Sequence, residues 1–167
     1  MSAQAILSPP PSNFVLREFT SLPPKDRLAV AEKVAKIEKK VFPSSEGFNY
    51  DIELKKKNTG LMLAFKEDDS DNVVAYLVYQ RLKRLVWLHK LCVIEAERGK
   101  GLGKCLLHSL QDKMKKGGCQ SIQLWLDENR EPARALYERC GFQQLEYRPD
   151  YYAPGRAGLK MELFIGE

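Results

Sequence analysis

The stretch that decides the fold lies past the middle of the chain and reads Glu97-Arg98-Gly99-Lys100-Gly101-Leu102-Gly103-Lys104. An apolar run typical of a strand precedes it, and apolar residues at helical spacing follow it. Closely spaced glycines let successive backbone N–H groups point inward, and the N-terminus of a helix adds positive potential. The turn therefore suits a phosphate group, and Arg98, Lys100 and Lys104 add positive charge beside it.

Two common phosphate-binding motifs fit this turn poorly. A P-loop requires GxxxxGK(S/T), but Arg98 stands where the first glycine belongs and Cys105 replaces the serine or threonine. A dinucleotide-binding turn requires GxGxxG within a βαβ unit, whereas the glycines here alternate and no such unit surrounds them. On these residues alone, a structural turn without a ligand remains an alternative.

The pattern Arg-x-x-Gly-x-Gly at Arg98, Gly101 and Gly103 resembles the pyrophosphate turn of the GNAT acyl-CoA N-acyltransferases. That family places a strand ending in Leu-x-Val shortly before the arginine, and Leu91-Cys92-Val93 matches it. It also places a helix ending in Leu-Tyr-Glu-x-x-Gly-Phe after the next strand, which residues 136–142 match. The resemblance covers nearly the whole chain from about residue 14 and implies the GNAT fold with acetyl-CoA as cofactor.

The resemblance implies cofactor-binding residues at three places. Backbone groups of Leu91, Cys92 and Val93 are expected to bind the pantetheine arm. The pyrophosphate is expected at the turn, on Arg98, Gly99, Lys100, Gly101, Leu102, Gly103 and Lys104. Asn129 is expected to assist, although the family asparagine precedes the tyrosine by seven residues and Asn129 precedes Tyr137 by eight.

Tyr137 is the catalytic acid that the resemblance implies, protonating the sulfur of the departing CoA. A phenol has an ordinary pKa of about 10, so it holds a proton at neutral pH. The alternative for Tyr137 is a tyrosine of the core on an amphipathic helix.

His89 is the candidate for the general base, acting through water. Strand alternation places it on one face with Trp87, Leu91 and Val93, and some family members carry a histidine or tyrosine at matching positions. A structural histidine is the alternative, and His108 is expected to be structural. Relatives that acetylate protein N-termini often carry Glu or His on the following strand, where this chain has Gln123, Leu124, Trp125 and Leu126, and then Asp127 and Glu128.

Two local matches point to the N-terminal protein acetyltransferases, including those that act on ribosomal proteins. Phe42, Pro43 and Ser44 resemble the loop that these enzymes lay along the substrate peptide. Tyr151 and Tyr152 resemble their Tyr-Tyr loop, where hydroxyls bind the peptide backbone and rings pack on the first side chain. A hinge between two strands is the alternative for the tyrosines.

The ordinary pKa values of amines favour an α-amine as acceptor. An α-amino group titrates near 7.7–8.0, so about a fifth is neutral at physiological pH, whereas only about one lysine in a thousand is. Alternatives are a polyamine, for which the acidic stretch 67–71 is a possible source of affinity, another small amine, or a lysine side chain. A CoA-binding interaction module without turnover is an alternative from another class.

Composition excludes several classes of protein. With 167 residues, 44% hydrophobic and 29% charged, the chain has the balance of a soluble globular domain. No apolar run approaches the ~20 residues of a membrane span, and the N-terminus lacks the features of a secretory signal. A net charge of +5, with lysine runs free of aromatics, indicates solvated faces and no nucleic-acid contact.

The four cysteines and two histidines predict reduced, mostly buried thiols in the cytoplasm, with the nucleus as an alternative, and no metal site. The cysteines (Cys92, Cys105, Cys119, Cys140) contain no CxxC pair. The acetyl-CoA and the peptide or small amine substrate are the expected partners. The sequence indicates no oligomeric state.

Hydrophobic periodicity predicts the element order β-αα-βββ-α-β-α-ββ, an α+β fold with helices on both faces of one mixed, mostly antiparallel sheet. Strands are predicted at 14–19, 61–65, 73–80, 86–93, 121–126, 142–147 and 159–165. The first helix follows Pro24 with Leu28 on its apolar face and Glu38 outside it, and the second spans 50–57. Residues 1–13 are expected to be a flexible lead-in to a single domain over 14–167.

Overall fold

The structure is a computed structural model that describes residues 13–42 and 49–166. Its strands are β1 (Phe14–Glu18), β2 (Thr59–Lys66), β3 (Asp69–Leu82), β4 (Leu85–Val93), β5 (Ser121–Asp127), β6 (Gln143–Ala153) and β7 (Arg156–Phe164). Its helices are α1 (Pro24–Val41), α2 (Tyr50–Glu53), α3 (Leu102–Lys116) and α4 (Glu131–Arg139). The predicted element order and the α+β class are confirmed. The expected lead-in, apart from Asn13, lies outside the described residues.

Hydrogen bonds join the strands in the order β1-β2-β3-β4-β5-β7-β6. β1 is antiparallel to β2, and β7 is antiparallel to both β5 and β6. β4 and β5 form the parallel pair, with partners running from Leu85↔Ser121 to Trp87↔Gln123. β4 itself continues past this short pairing to Val93.

The chain divides into two compact units, described separately below. The first comprises the chain up to Tyr79 together with Lys90–Ser109, and the second comprises Gln80–His89 and the chain from Leu110 onward. No helix within the two described ranges is long and apolar enough to cross a membrane.

In the first unit, α1 buries one stripe of side chains against the strands. Val30, Val34 and Glu38 are its buried residues, spaced at i, i+4 and i+8. Leu28 is 64% exposed because it lies about 200° around the helix from Val30, so its predicted place on the apolar face is wrong. Glu38 is buried because the Tyr50 hydroxyl donates to its Oε1 at 2.8 Å, and its predicted place outside the face is also wrong.

One helix and one connection in this part of the chain are shorter than predicted. α2 is a single turn ending at Glu53, because the lysine run that follows brings no apolar stripe to bury, and β2 begins at Thr59. The β2–β3 connection is the two-residue turn Glu67-Asp68, because β3 begins at Asp69. The predicted seven-residue loop over 66–72 is therefore wrong, and β2 and β3 form a tight hairpin.

In the second unit, β5 has the clean alternation of a strand with one buried face, since Ile122, Leu124 and Leu126 are all buried. Pro132 stands in the first turn of α4, where its missing N–H costs nothing. β6 continues to Ala153 and turns into β7 through Pro154-Gly155. The predicted end of this strand at residue 147 and the long loop after it are wrong, because β6 still pairs with β7 at Ala153, beyond an irregularity in which Asp150 has a φ of 55°.

Candidate active site

The glycine-rich turn, residues 98–104, lies in the first unit between β4 and α3. A short 3₁₀ helix at Glu95–Glu97 precedes it. Gly99 and Gly101 have φ values of 79° and 83°, in the left-handed region that favours glycine. A Cβ at either position would meet nothing within 4 Å, so backbone conformation requires these glycines, and open space surrounds them.

The turn is tied to the strand before it and the helix after it. Arg98 Nε donates to the backbone oxygen of Val93 at 3.0 Å, which joins the turn to the end of β4. Cys105 N–H donates to the oxygen of Gly101, which begins the hydrogen bonding of α3. Leu102 is 1% exposed and anchors the helix N-terminus in the core, whereas Lys104 is exposed.

The three predicted residues of β4 lie at its C-terminal end, directly before this turn. Cys92 is buried and belongs to the hydrophobic core, whereas Leu91 and Val93 are half-buried. Their roles in binding the pantetheine arm remain predictions.

Glu97 is a buried carboxylate directly before the turn, which the sequence analysis did not single out. Its side chain is 5% exposed and forms ion pairs with Lys66 Nζ at 3.0 Å and Lys100 Nζ at 2.6 Å. Hydrogen bonds from the two ammonium groups lower the pKa of Glu97, and Glu97 in turn raises the pKa of Lys66. The available signal in the sequence was a glutamate followed closely by three basic residues, Arg98, Lys100 and Lys104, because a buried acid needs cationic partners.

A cavity of about 420 Å³ adjoins these ion pairs. Its lining consists of Asn13, Phe14, Lys66, Glu67, Asp68, Glu97 and Lys100. Three carboxylates therefore face two ammonium groups, and the cavity is unfavourable for an anion.

Phe42, at the end of α1, is the one predicted substrate-loop residue within the described ranges. It is buried, and Lys90 Nζ lies 4.1 Å from the centroid of its ring. Pro43 and Ser44 lie outside the described residues. Phe42 is thus part of the core at the point where the predicted peptide loop begins.

Tyr137, in the second unit, lies on α4 and is 7% exposed. Its ring packs edge-on against Phe142 at 5.5 Å, and its backbone oxygen accepts the Phe142 N–H at 3.0 Å. Burial raises the pKa of the phenol, partly offset by Arg130. Tyr137 is therefore protonated at neutral pH, as an acid must be, and its catalytic role remains a prediction.

His89 is exposed, and its Nε2 lies 3.1 Å from Gln80 Oε1. The neighbouring strand β5 carries Gln123, whose amide donates to Glu162 at 2.5 Å, and Trp125. Asp127, the carboxylate at the end of β5, is 6% exposed and engaged by Arg156. His89 therefore remains the predicted base.

Tyr151 and Tyr152 lie at the end of β6 within a packed aromatic cluster. The Tyr151 ring stacks on Trp125 at 4.2 Å with 14° between the planes, and Tyr152 packs edge-on against Tyr151 at 4.9 Å. A Cβ on Gly158 would lie 2.7 Å from the Tyr151 ring, so this glycine makes room for it. The Arg156 guanidinium lies 5.4 Å from the Tyr152 ring.

Asp127 connects this cluster to the loop after β5. Arg156 Nε and Nη2 donate to its Oδ2 at 2.9 and 2.7 Å. Its Oδ1 accepts the backbone N–H of Asn129 at 2.9 Å, so the loop that holds the exposed Asn129 is fixed by the same carboxylate. The pairing of Asp127 with Arg156 could not be read from the sequence, because 29 residues separate them in the chain.

No group of three or more His, Cys, Asp and Glu residues in the described ranges could hold a metal ion. None of the four cysteines, all of which are described, forms a disulfide.

Residues 30–142 match the profile of the Acetyltransferase (GNAT) family. This match spans more than half of the 167 residues, and the glycine turn and the Tyr137 helix both lie within it. The chain therefore belongs to the GNAT acetyltransferase family, whose cofactor is acetyl-CoA. The resemblance that the sequence motifs indicated is confirmed.

Relatives with a named activity are similar to this chain over different shares of their length. A ribosomal protein bS18-alanine N-acetyltransferase of Haemophilus ducreyi is 30% identical over 54% of this chain, which spans only 62% of that relative. The enzyme of the same name from Escherichia coli is 26% identical over 81% of this chain and 83% of its own length. The crystal structure of the E. coli ribosomal-protein-S18-alanine N-acetyltransferase superposes with a TM-score of 0.75 at 21% identity, over 92% and 95% of the two chains, which establishes the shared fold.

Proposed function

We propose that the protein transfers an acetyl group from acetyl-CoA to the α-amine at the N-terminus of a protein. The observation that carries the proposal is the turn at 98–104, whose two left-handed glycines stand in open space directly before the N-terminus of α3. Backbone N–H groups at such a turn, together with the helix dipole, suit an anionic pyrophosphate. The residues present therefore fit the cofactor of the family.

Acetyl-CoA supplies an activated acetyl group as a thioester. We assign its pyrophosphate to the backbone of residues 99–103 and its pantetheine arm to the backbone of residues 91–93. Arg98 orders the turn through its hydrogen bond to the Val93 oxygen. These assignments follow the family motif position by position.

Tyr137 is the proposed acid. Transfer forms a C–N bond to the amine and breaks the C–S bond, so the departing sulfur needs a proton and the amine must lose one. Because burial keeps the Tyr137 phenol protonated, its hydroxyl can supply the proton to sulfur. The proton from the amine passes to solvent, with His89 acting through water as the proposed relay, and the Tyr137 phenolate takes a proton back from solvent.

An α-amine is a suitable acceptor for a site in which few side chains can remove a proton. Asp127 is committed to Arg156, and β5 presents Gln123 and Trp125 before it. An α-amine is partly neutral at physiological pH, whereas a lysine needs a stronger base or desolvation.

The proposed peptide-binding residues are Tyr151 and Tyr152, together with Phe42, Pro43 and Ser44. Stacking on Trp125 and the space above Gly158 hold the Tyr151 ring in a defined orientation. Preorganised aromatic side chains lose little entropy on binding a peptide. The two bacterial relatives are named as N-acetyltransferases of an alanine of ribosomal protein bS18, which supports a protein as the substrate.

A polyamine is the second candidate, favoured by the acidic turn Glu67-Asp68 at the cavity. Lys66 and Lys100 line the same cavity and repel a polycation. A CoA-binding module without turnover is the third candidate, and buried Tyr137 argues against it.

The test is acetyl-CoA consumption with a library of peptides that carry unmodified N-termini. Matched peptides with blocked N-termini and an internal lysine, and a polyamine, are the controls. We expect turnover only on open N-termini, and the library would report the preferred first residues. Turnover on the controls alone would contradict the N-terminal substrate, and bound acetyl-CoA without any turnover would contradict the enzymatic proposal.

A further inference from the structure

We propose that Glu97 is a positioning residue for the cofactor turn. Its carboxylate, held by Lys66 and Lys100, fixes residues 98–104 in the conformation that receives the pyrophosphate. This inference rests on the proposed function only in taking acetyl-CoA as the ligand. It assigns Lys100 to the internal structure of the turn and not to the phosphate.

The position of Glu97 places its charge at the base of the turn. It is the last residue of the 3₁₀ helix, and its backbone N–H donates to the Ile94 oxygen at 3.0 Å. A carboxylate that is 5% exposed requires cationic partners, because burial without them is costly. Lys100 provides one partner from between the two left-handed glycines, Gly99 and Gly101.

Lys66 provides the second partner and joins the turn to the sheet. It is the last residue of β2, and its partner on β1 is Phe14. Lys100 Nζ lies 5.8 Å from the centroid of that Phe14 ring. The Glu97 cluster, defined as Glu97, Lys66 and Lys100, thus ties the turn to one rung of the β1–β2 ladder.

The surroundings of Lys100 argue against a direct phosphate contact. Its ammonium is 2.6 Å from Glu97 Oε2, and it lines a cavity that also holds Glu67 and Asp68. A phosphate drawn to Lys100 would enter a field of three carboxylates. The backbone N–H groups of the turn and the exposed Lys104 remain as phosphate ligands, and the geometry of the backbone groups depends on the Glu97 cluster.

The experiment measures the dissociation constant of CoA by calorimetry for Glu97→Gln, Lys66→Met, Lys100→Met and the double variant Glu97→Gln/Lys100→Met. We expect each single variant to weaken CoA binding roughly tenfold. The double variant should weaken it no further, because both changes break the same contact. Lys57→Met removes an exposed lysine elsewhere in the chain and serves as the matched control, with no change expected.

A second readout separates positioning from general damage. At saturating acetyl-CoA, kcat should be unchanged in Glu97→Gln and Lys66→Met, neither of which changes a residue assigned to the pyrophosphate. With S-acetylpantetheine, which has the thioester but no pyrophosphate, kcat/KM should also be unchanged. If Glu97→Gln folds poorly, the same measurements can be made on Lys66→Met. This variant is expected to fold, because Lys66 is partly exposed and Glu97 keeps its ion pair with Lys100.

Three results would overturn the inference. Glu97→Gln could leave CoA binding unchanged, the Glu97 and Lys100 effects could multiply in the double variant, or S-acetylpantetheine could suffer the same loss as acetyl-CoA. Multiplying effects would show that Lys100 binds the phosphate directly. If the wild-type protein itself failed to bind CoA, the cofactor proposal would fail, and that result is distinct from the other three.

Discussion

The cofactor turn and the aromatic hairpin end of β6 and β7 each depend on a buried carboxylate, but the two carboxylates are neutralised differently. Glu97 lies between two lysines, one from the turn itself and one from β2, whose side chains are 51% and 41% exposed. Asp127 binds the fork of a single arginine, which also packs against Tyr152. Lysine is a compact charge on a flexible stem, whereas the arginine fork fixes direction.

This difference suggests what each region requires. In the proposed role, the backbone of the cofactor turn itself contacts the ligand, and the two lysines paired with Glu97 hold the residue before that backbone in place. The hairpin must hold aromatic rings at set angles, and a planar guanidinium supplies the direction. Each carboxylate is buried next to a residue that the sequence analysis predicts for the site, Glu97 beside Lys100 and Asp127 beside Asn129.

The largest expected effect is a loss of kcat in a variant that leaves the cofactor turn and the aromatic hairpin unchanged. Tyr137→Phe should lower kcat by about 10²–10⁴-fold, the usual range for a lost general acid, with little change in the KM for acetyl-CoA. Steady-state kinetics with an N-terminal peptide measure this. An effect confined to KM would contradict the acid role.

The next effect breaks the cofactor turn and leaves the hairpin intact. Gly101→Asp should weaken CoA binding by about 100-fold, because an aspartate strains a φ of 83° and adds a negative charge to the phosphate site. Gly118→Asp, at a similar φ of 86° after α3, is the matched control for strain alone. Equal CoA affinity in Gly101→Asp and wild type would show that the turn does not bind the pyrophosphate.

A third change targets the hairpin alone. Gly158→Ala should raise the peptide KM by about tenfold and leave the acetyl-CoA KM unchanged, because a methyl group 2.7 Å from Tyr151 displaces its ring from Trp125. Tyr151→Ala should have a similar effect, and the two changes together should not add. An unchanged peptide KM in both variants would return these residues to a structural role.

A pair of conservative changes sharpens the comparison of the two carboxylates. Arg156→Lys should lower the free energy of unfolding by about 1 kcal/mol, since one ammonium cannot replace two directed N–H donors. Lys66→Arg should leave both stability and CoA affinity near wild type, because Glu97 needs only a nearby positive charge. Urea unfolding measures the free energy of unfolding of both variants. An equal loss in the two variants would contradict the difference between the two carboxylates.

The smallest expected effect is on the pH profile. Since burial raises the pKa of Tyr137 above its ordinary value of 10.0, its acid form persists as pH rises. We expect kcat to stay level from pH 8 to about 10. In the same experiment, His89→Ala should lower the alkaline-going limb of the kcat/KM profile, where a neutral imidazole can accept the proton, and identical profiles would remove His89 as the base.

The predicted element order was right throughout, but several boundaries were wrong for one physical reason. Strand ends were predicted from the polarity of short stretches of sequence. Pairing with a neighbouring strand can extend a strand through polar residues. β3 extends back to Asp69 through an acidic segment, and β6 extends forward through Pro149 to Ala153, because each pairs with an adjacent strand. Tyr151 and Tyr152 are thus strand residues that stack, where polarity alone predicted a loop.

The site was predicted where it depends on local backbone and missed where it depends on distant partners. Gly99 and Gly101 have the left-handed backbone that their spacing indicates, and Tyr137 is buried on the predicted helix. The assigned roles of these residues, of His89 and of Asn129 remain predictions. Glu97 and Asp127 were not recognised because Lys66 and Arg156 lie far away in the chain. Gly158 was not recognised because its contact with Tyr151 depends on the pairing of β6 with β7.

By itself, the sequence determined the family, the order of the elements and the glycine turn, because periodicity, glycine spacing and short motifs are properties of neighbouring residues. Only the tertiary structure decided which charges are buried and what neutralises them. It pairs Glu97 with a lysine from β2, Asp127 with an arginine from β7, and Tyr151 with the space above Gly158. These pairings depend on strand register, which sums weak preferences over the whole sheet and cannot be read from one segment.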